Sequence, residues 1–161
     1  MSSESLENCR EKALRLLENS PHSVAGLKRK LFNAKKFSKQ DIDTVIEDCL
    51  KTGLLDDRKF AEDYVQYLKM TSIGRFKATF KLKNKGLPQN IIKETMDKLW
   101  NDGDDDDVSR AMTAAKLKWA SIAKKDKPFL WKLQAVARFL AARGFPPDVI
   151  RPVLEGLKSL F

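Results

Sequence analysis

The sequence predicts an all-α protein, an elongated array of three tandem three-helix units of helix-turn-helix-like repeats with about nine helices in total. Three observations carry this. One apolar pattern occurs three times, as Ile42-Ile46-Cys49, Ile92-Met96-Leu99 and Ile150-Leu154-Leu157. Each set steps by four and then three residues, which keeps it on one face of an α-helix. Each is also preceded by an apolar anchor (Leu31, Leu82 or Leu140) and then a turn (Lys36-Phe37-Ser38, Gly86-Leu87-Pro88 or Gly144-Phe145-Pro146). Finally, the period of about 50 residues is long for a solenoid repeat and suits a three-helix unit. The units are placed at residues 1–53, 54–103 and 104–161. Units this small are marginal alone, so neighbours are expected to share buried surface.

The first helix is expected from Leu6 to Glu18, with Ala13, Leu14 and Leu17 inward and Pro21 beyond its end. Ser23 is placed to cap the second helix, whose inward residues are Leu27 and Leu31. Ser38 caps the third, with Asp41 three residues on in a capping-box-like pair, and Gly53 ends it. In the second unit an Asp of the Asp56-Asp57 pair caps a helix with the stripe Phe60, Ala61, Tyr64, Val65, Leu68. Gly74 starts the next helix, Gly86 ends it, and Pro88 takes a first-turn position in the one after. Asn101 to Asp107 is a polar, acidic break, read as a flexible joint, whose Asp104–Asp107 run favours the positive end of a seventh helix. That helix is expected from Val108 to Ala123 with Met112, Ala115 and Trp119 inward. The last two are expected over Phe129–Arg143 and Pro147–Leu160.

Composition narrows the function classes. The 161 residues carry a net charge of +9, with 42% hydrophobic and 33% charged residues. No apolar run approaches the roughly 20 residues that span a bilayer. The N-terminus lacks a basic region followed by an apolar core, so no signal peptide is read and a cytoplasmic location is expected. Cys49 shares the apolar face of its helix, while Cys9 is expected to be partly exposed, and both are expected reduced. One histidine, His22, and two distant cysteines make no zinc set. The charge is uneven: residues 1–52 carry ten Lys/Arg against eight acids, residues 64–93 seven against none, and residues 108–145 nine against Asp126 alone. Such a field suits a polyanionic partner, nucleic acid or an assembly containing it.

The motifs sharpen this. Gly53-Leu-Leu-Asp-Asp-Arg-Lys-Phe-Ala61 resembles the signature that opens the second repeat of the RecX family. Ser23-x-x-x-Leu27-x-x-Lys30-Leu31 is similar to that family's first-repeat helix. Gly74-x-x-Lys77-Ala78-x-x-Lys81-Leu82-x-x-Lys85-Gly86-Leu87 resembles the second, and Phe139-Leu-Ala-Ala-Arg-Gly-Phe145 the closing repeat. The chain departs from the pattern at Phe32-Asn-Ala-Lys-Lys-Phe37, which is one residue longer and lacks the usual Gly, at Arg75, where Pro is frequent, and in a weakly matched first helix of the last repeat. The resemblance implies a regulator of the recombinase RecA. It would lie in the helical groove of the RecA–single-stranded DNA filament and restrain filament growth, ATP hydrolysis and strand exchange in homologous recombination, DNA repair and the SOS response. Single- or double-stranded DNA would be a weaker, electrostatic partner, and the protein would act as a monomer.

Within the signature, Gly53, Leu54, Leu55, Asp56, Asp57, Phe60 and Ala61 are read as structural: an Asp caps a helix and Phe60 fills the junction between units. The candidate contact is the stripe Lys77-Lys81-Lys85, whose steps of four put three ammonium groups on one flank, extended by Arg75 and Lys83. Phe76 and Phe80 fall on another flank and are expected to pack against a neighbouring unit rather than stack on bases. A second cluster holds Lys116, Lys118, Lys124, Lys125, Lys127 and Lys132, with Trp119 and Trp131 among them read as core; Arg143 precedes Gly144 at a helix end, where it favours the dipole. No phosphate loop, metal-ligand set or nucleophile–base pair is visible, so no cofactor, metal or catalytic residue is expected. The competing function is a helix-turn-helix DNA-binding protein acting independently of RecA. Its base-reading Asn, Gln or Arg at a recognition helix's start is not matched by Lys-rich charge, which suits phosphate or acidic protein surface better.

Overall fold

A computed structural model describes residues 3–101 and 106–161. Among these the secondary structure is nine helices and no strand: α1 (Ser3–Asn19), α2 (Val24–Asn33), α3 (Lys39–Lys51), α4 (Asp57–Lys69), α5 (Arg75–Asn84), α6 (Gln89–Leu99), α7 (Asp107–Ile122), α8 (Phe129–Ala142) and α9 (Pro147–Leu160). The all-α class is as the periodicity predicts. Residues Asp104 and Asp105 of the acidic run, with most of the expected flexible joint, lie outside the described residues.

The helix boundaries follow local chemistry. The Ser23 hydroxyl accepts from Gly26 N–H at 3.0 Å and the Ser38 hydroxyl from Asp41 N–H at 3.1 Å, satisfying donors that a helix leaves free at its start. Asp56 Oδ1 accepts from Arg58 N–H and Lys59 N–H, which makes it the cap of α4, and Asp106 caps α7 through Ser109 N–H at 2.8 Å. Pro88 stands just before α6 rather than in its first turn, and its carbonyl accepts from Ile92 N–H. Helices α3, α5 and α8 are each followed by a glycine of positive φ: Gly53, Gly86 and Gly144. After α2 that position falls to Lys35, at φ 58°. The missing glycine of the first turn is thus made up by a lysine held in the left-handed region, where a side chain costs about 1–2 kcal/mol.

Two compact units result. The first comprises Met1–Asp63 and Leu82–Ile92, the second Tyr64–Lys81 and Lys93–Phe161. In the first, α1, α2 and α3 close over Cys9, Ala13, Leu27, Leu31, Ile42, Val45, Ile46, Cys49 and Leu55. Cys9 is fully buried, correcting the expected partial exposure. Burial, followed by the nearby negative charge of Asp41, pushes its thiol up, and burial does the same for Cys49, so neither is an activated nucleophile. Leu14, expected inward, is exposed; Leu6, Leu16 and Leu17 supply that helix's partly buried contacts instead. Ser5 Oγ donates to Asp41 Oδ2 at 3.1 Å and Arg10 to Asp48 Oδ2 at 2.7 Å, tying α1 to α3.

In the second unit α7, α8 and α9 pack around Ala111, Ala115, Trp119, Val136, Leu140, Phe145, Val153 and Leu157. Trp119 is core, as read, with Phe161 stacked on it at 5.0 Å and Phe129 edge-on at 5.3 Å. The anchors Leu31, Leu82 and Leu140 are all fully buried, each contributing about 1.5–3 kcal/mol. Of the periodic sets, only Leu99 and Leu154 are half-buried; at the end of α6 the depth shifts to Trp100, the residue just after the helix, which is fully enclosed.

Candidate polyanion-binding face

In the second unit, the start of α5 is built into the end of α8. Gly74 N–H donates to Arg143 C=O at 2.8 Å and Phe76 N–H to Gly144 C=O at 3.0 Å. The first N–H groups of one helix thereby satisfy the last carbonyls of another, with the positive dipole end of α5 against the negative end of α8. Glycines at both places permit the approach. A Cβ on Gly74 would lie 2.4 Å from Phe145 N, and one on Gly144 would lie 2.4 Å from Lys77 N and Cβ. In the first unit the start of α2 meets the segment after α5 in a like manner. Ser23 Oγ donates to the Lys85 carbonyl, and a Cβ on Gly86 would lie 2.4 Å from Ala25 Cβ.

This joint brings together two groups of cations that lie far apart in the chain. Arg75 and Lys77 follow Gly74, and Arg143 precedes Gly144. The Arg143 guanidinium lies over the Phe139 ring at 5.0 Å, and the Lys118 ammonium over the same ring at 5.5 Å. Lys118, Phe139 and Arg143 line one open groove with Met70, Thr71 and Ser72. Lys77 and Lys83 are exposed and Lys81 half-buried, and none of the three forms an ion pair among the described residues. Lys83 and Lys85 belong to the first unit. Arg75 approaches Asp107 Oδ2 at 4.0 Å, so part of its charge is already answered.

The remaining candidates are less concentrated. Lys116 is exposed. Lys132 Nζ donates to the Ala123 carbonyl at 2.6 Å, a contact at the C-terminal end of α7. Lys127 lies over Trp131 at 5.7 Å, with that ring half-buried. Phe76 and Phe80 correct the expectation of packing: they are 58% and 61% exposed on α5. Their i, i+4 spacing gave the flank correctly, and periodicity alone does not say whether a flank is covered.

The signature residues have local partners. Leu55 and Ala61 are buried, Phe60 is half-buried and Leu54 is exposed. Gly53 N–H donates to Leu50 C=O and Leu55 N–H to Cys49 C=O, closing α3. Asp56 caps α4, and Asp57 Oδ1 accepts from Val24 N–H at 2.9 Å, so the second aspartate serves a different helix, α2. That cross-helix role has no signal in the sequence.

One buried polar cluster also escaped the sequence reading. Asp107 and Arg110 are 5% and 8% exposed and pair at 3.1 Å. Trp100 Nε1 donates to Asp107, Arg110 Nη2 donates to Trp100 C=O at 3.0 Å, and the guanidinium lies 4.4 Å over the indole. Asp107 N–H donates to Asn101 Oδ1. The ion pair and its Trp100 contacts tie α7 to the end of α6, a structural use of charge. His22 is held below its ordinary value by burial, and its Nδ1 lies 2.8 Å from Ser20 C=O.

Among the described residues, no group of acids, cysteines and histidines could hold a metal ion, and no helix is long and apolar enough to cross a membrane. The fold is all-α, with exposed cationic side chains carried on its helices. The chain belongs to the RecX family of regulatory proteins. It is 31% identical over 152 residues to the regulatory protein RecX of Legionella pneumophila (strain Corby), covering 94% of this chain and 95% of that one. It is 33% identical over 144 residues to RecX of Chlorobium phaeobacteroides (strain BS1), covering 89% of each. No family model matches the chain. The fold is that of the crystal structure of RecX from Lactobacillus salivarius, with a TM-score of 0.84 at 20% identity over 98% of this chain and 99% of that one. A second RecX crystal structure gives 0.81 at 16% identity, covering 95% and 73%.

Proposed function

We propose that this protein is a cytoplasmic, non-enzymatic inhibitor of RecA. In this reading it binds in the groove of the RecA–single-stranded DNA filament and restrains filament extension, ATP hydrolysis and strand exchange. The observation that carries the reading is the cationic start of α5, Arg75 and Lys77, brought beside Arg143 and Lys118 by the Gly74–Gly144 joint. Lys81, Lys83 and Lys85 continue it along the chain, and Lys116 and Lys132 add to the field. Three repeats at 1–53, 54–103 and 104–161 would present such surfaces along a long polyanionic partner. Inhibition follows if the protein binds a capped or inactive filament state more tightly than the growing one, since only that difference shifts the equilibrium.

RecA ATP hydrolysis on single-stranded DNA, with this protein titrated in below one copy per RecA, tests the reading. Hydrolysis should fall progressively, and Lys77→Ala/Lys81→Ala/Lys85→Ala should relieve the fall while keeping its helical content. Direct binding to an oligothymidylate should weaken with salt. If each of the three lysines holds a phosphate, the triple variant should flatten the log–log salt slope by about 2. Unchanged hydrolysis with a folded protein and its matching RecA would sink the inhibitor reading and leave independent DNA binding as the function.

A further inference from the structure

We propose that the groove between α8 and α9 is a docking site for an acidic amphipathic helix of a partner protein. The composition of α8 is the starting point. Of its 14 residues, all but Lys132, Gln134 and Arg138 are apolar, more than one buried face requires. Leu133, Val136 and Leu140 enter the core. A second line, Leu130, Leu133, Ala137 and Ala141, runs along α8 at steps of three, four and four and lines an open groove of about 540 Å³. Pro147, Ile150 and Leu154 of α9 form the other wall.

Side-chain size shapes this groove. Ala137 and Ala141 end at Cβ, leaving room that larger apolar side chains from outside can occupy, while Leu130 stands 64% exposed at its mouth. The wall from Leu130 to Ala141 is about 16 Å long at 1.5 Å per residue, roughly three helical turns, which matches a helical partner with anchors at i, i+4 and i+7.

The rim decides the partner's charge. Arg138, Arg151 and Lys158 border the groove against one acid, Glu155, which already pairs with Lys158 at 3.2 Å. An apolar floor with a cationic rim is complementary to a leucine-type stripe flanked by Asp or Glu. Aliphatic walls offer no ring for bases to stack on, which favours protein over a nucleic-acid strand. The groove shares no residue with the cationic face assigned to RecA–DNA, so it stands or falls separately.

The test uses fluorescein-labelled peptides of about 14 residues with one leucine stripe, flanked by glutamates in one peptide and by lysines in a second. A third peptide scrambles the acidic sequence. Each is titrated with the full chain and followed by anisotropy. The acidic peptide should bind saturably and at least about tenfold more tightly than the other two. Arg138→Glu/Arg151→Glu should invert the charge preference. Leu130→Glu, at an exposed first-turn position where an acid favours the helix dipole, should weaken the acidic peptide about tenfold with helicity intact. No binding, equal binding of the scrambled peptide, or a preference that survives charge reversal would overturn the proposal. Self-association of the chain by sedimentation equilibrium, abolished by Leu130→Glu, would overturn it in favour of a second copy as occupant.

Discussion

Gly144→Ala isolates what the α5–α8 joint contributes, because the chain supplies its own control. Gly53 and Gly144 both have positive φ, 79° and 90°. A Cβ on Gly53 meets nothing within 4 Å, whereas one on Gly144 lies 2.4 Å from the Lys77 backbone nitrogen and Cβ. Gly53→Ala therefore carries the left-handed penalty of about 1–2 kcal/mol, offset by about 0.4–1 kcal/mol from a less free unfolded chain. The net is about 1 kcal/mol. Gly144→Ala carries that and the steric term, about 1–3 kcal/mol. It also weakens the Gly74–Arg143 and Phe76–Gly144 hydrogen bonds, about 1 kcal/mol each. The expected loss is about 4–6 kcal/mol, in the range reserved for a specific structural fault. Urea unfolding followed by helical circular dichroism measures both variants, and Trp100 and Trp119, both buried in the second unit, report Gly144→Ala separately. Equal losses for the two alanines, within about 0.5 kcal/mol, would refute the close approach as the reason for glycine.

Three further expectations follow from other contacts. Arg110→Met removes the buried ion-pair partner of Asp107, leaving Trp100 Nε1 and the more distant Arg75, and should cost up to about 3–5 kcal/mol in the same unfolding assay, with Asp107→Asn/Arg110→Met recovering part of it; a single-variant loss below about 1 kcal/mol would contradict the assigned pairing. Lys35→Gly should stabilise by about 0.5–1 kcal/mol, the difference between relieving a left-handed side chain and freeing the unfolded chain; a loss of thermal midpoint would argue against it. Asp106 is held below the usual carboxylate range, first by Ser109 N–H and then by the Ser109 side chain. Its folded value is the lower one, so the cap's contribution is complete above the ordinary range and is lost as pH falls through the folded value. Asp106→Asn keeps an accepting oxygen and should flatten that part of the acid limb of a stability–pH curve, an outcome absent if the cap is not ionised.

Much of the fold was legible because it rests on local rules. Ser23, Ser38 and Asp56 cap helices for reasons contained within a few residues, and the anchors at 31, 82 and 140 recur with the helical period. What was missed depends on partners distant in the chain. Cys9 looks like a residue near a free helix end, yet α2 and α3 cover it. Leu14 sits one position off the buried line that passes through Cys9 and Ala13, and the richness of α1 in leucine concealed which three of the four were needed. Asp57 reads as a spare cap but binds Val24 N–H, 33 residues away. Asp107 was legible only as an acid at the positive end of α7 and nothing singled out Arg110, because their contacts with Trp100 are not local to a helix pattern.

The candidate face illustrates the same division. The charge runs of 64–93 and 108–145 are plain in the sequence, but as two separate patches. Their union depends on carbonyls at Arg143 and Gly144 that α8 cannot satisfy internally and on N–H groups at Gly74 and Phe76 that α5 cannot. Backbone bookkeeping thus assembles the charges. Once the helix ends meet, Arg75, Lys77 and Arg143 are carried by backbone segments in direct contact, whatever electrostatics prefers. Concentrating like charge this way opposes folding slightly and is relieved when a polyanion occupies the surface. The arrangement therefore favours the proposed contact role over a stabilising one, whereas the Asp107–Arg110 pair nearby, bonded to each other and to the Trp100 carbonyl, shows how this chain treats charge used to hold structure.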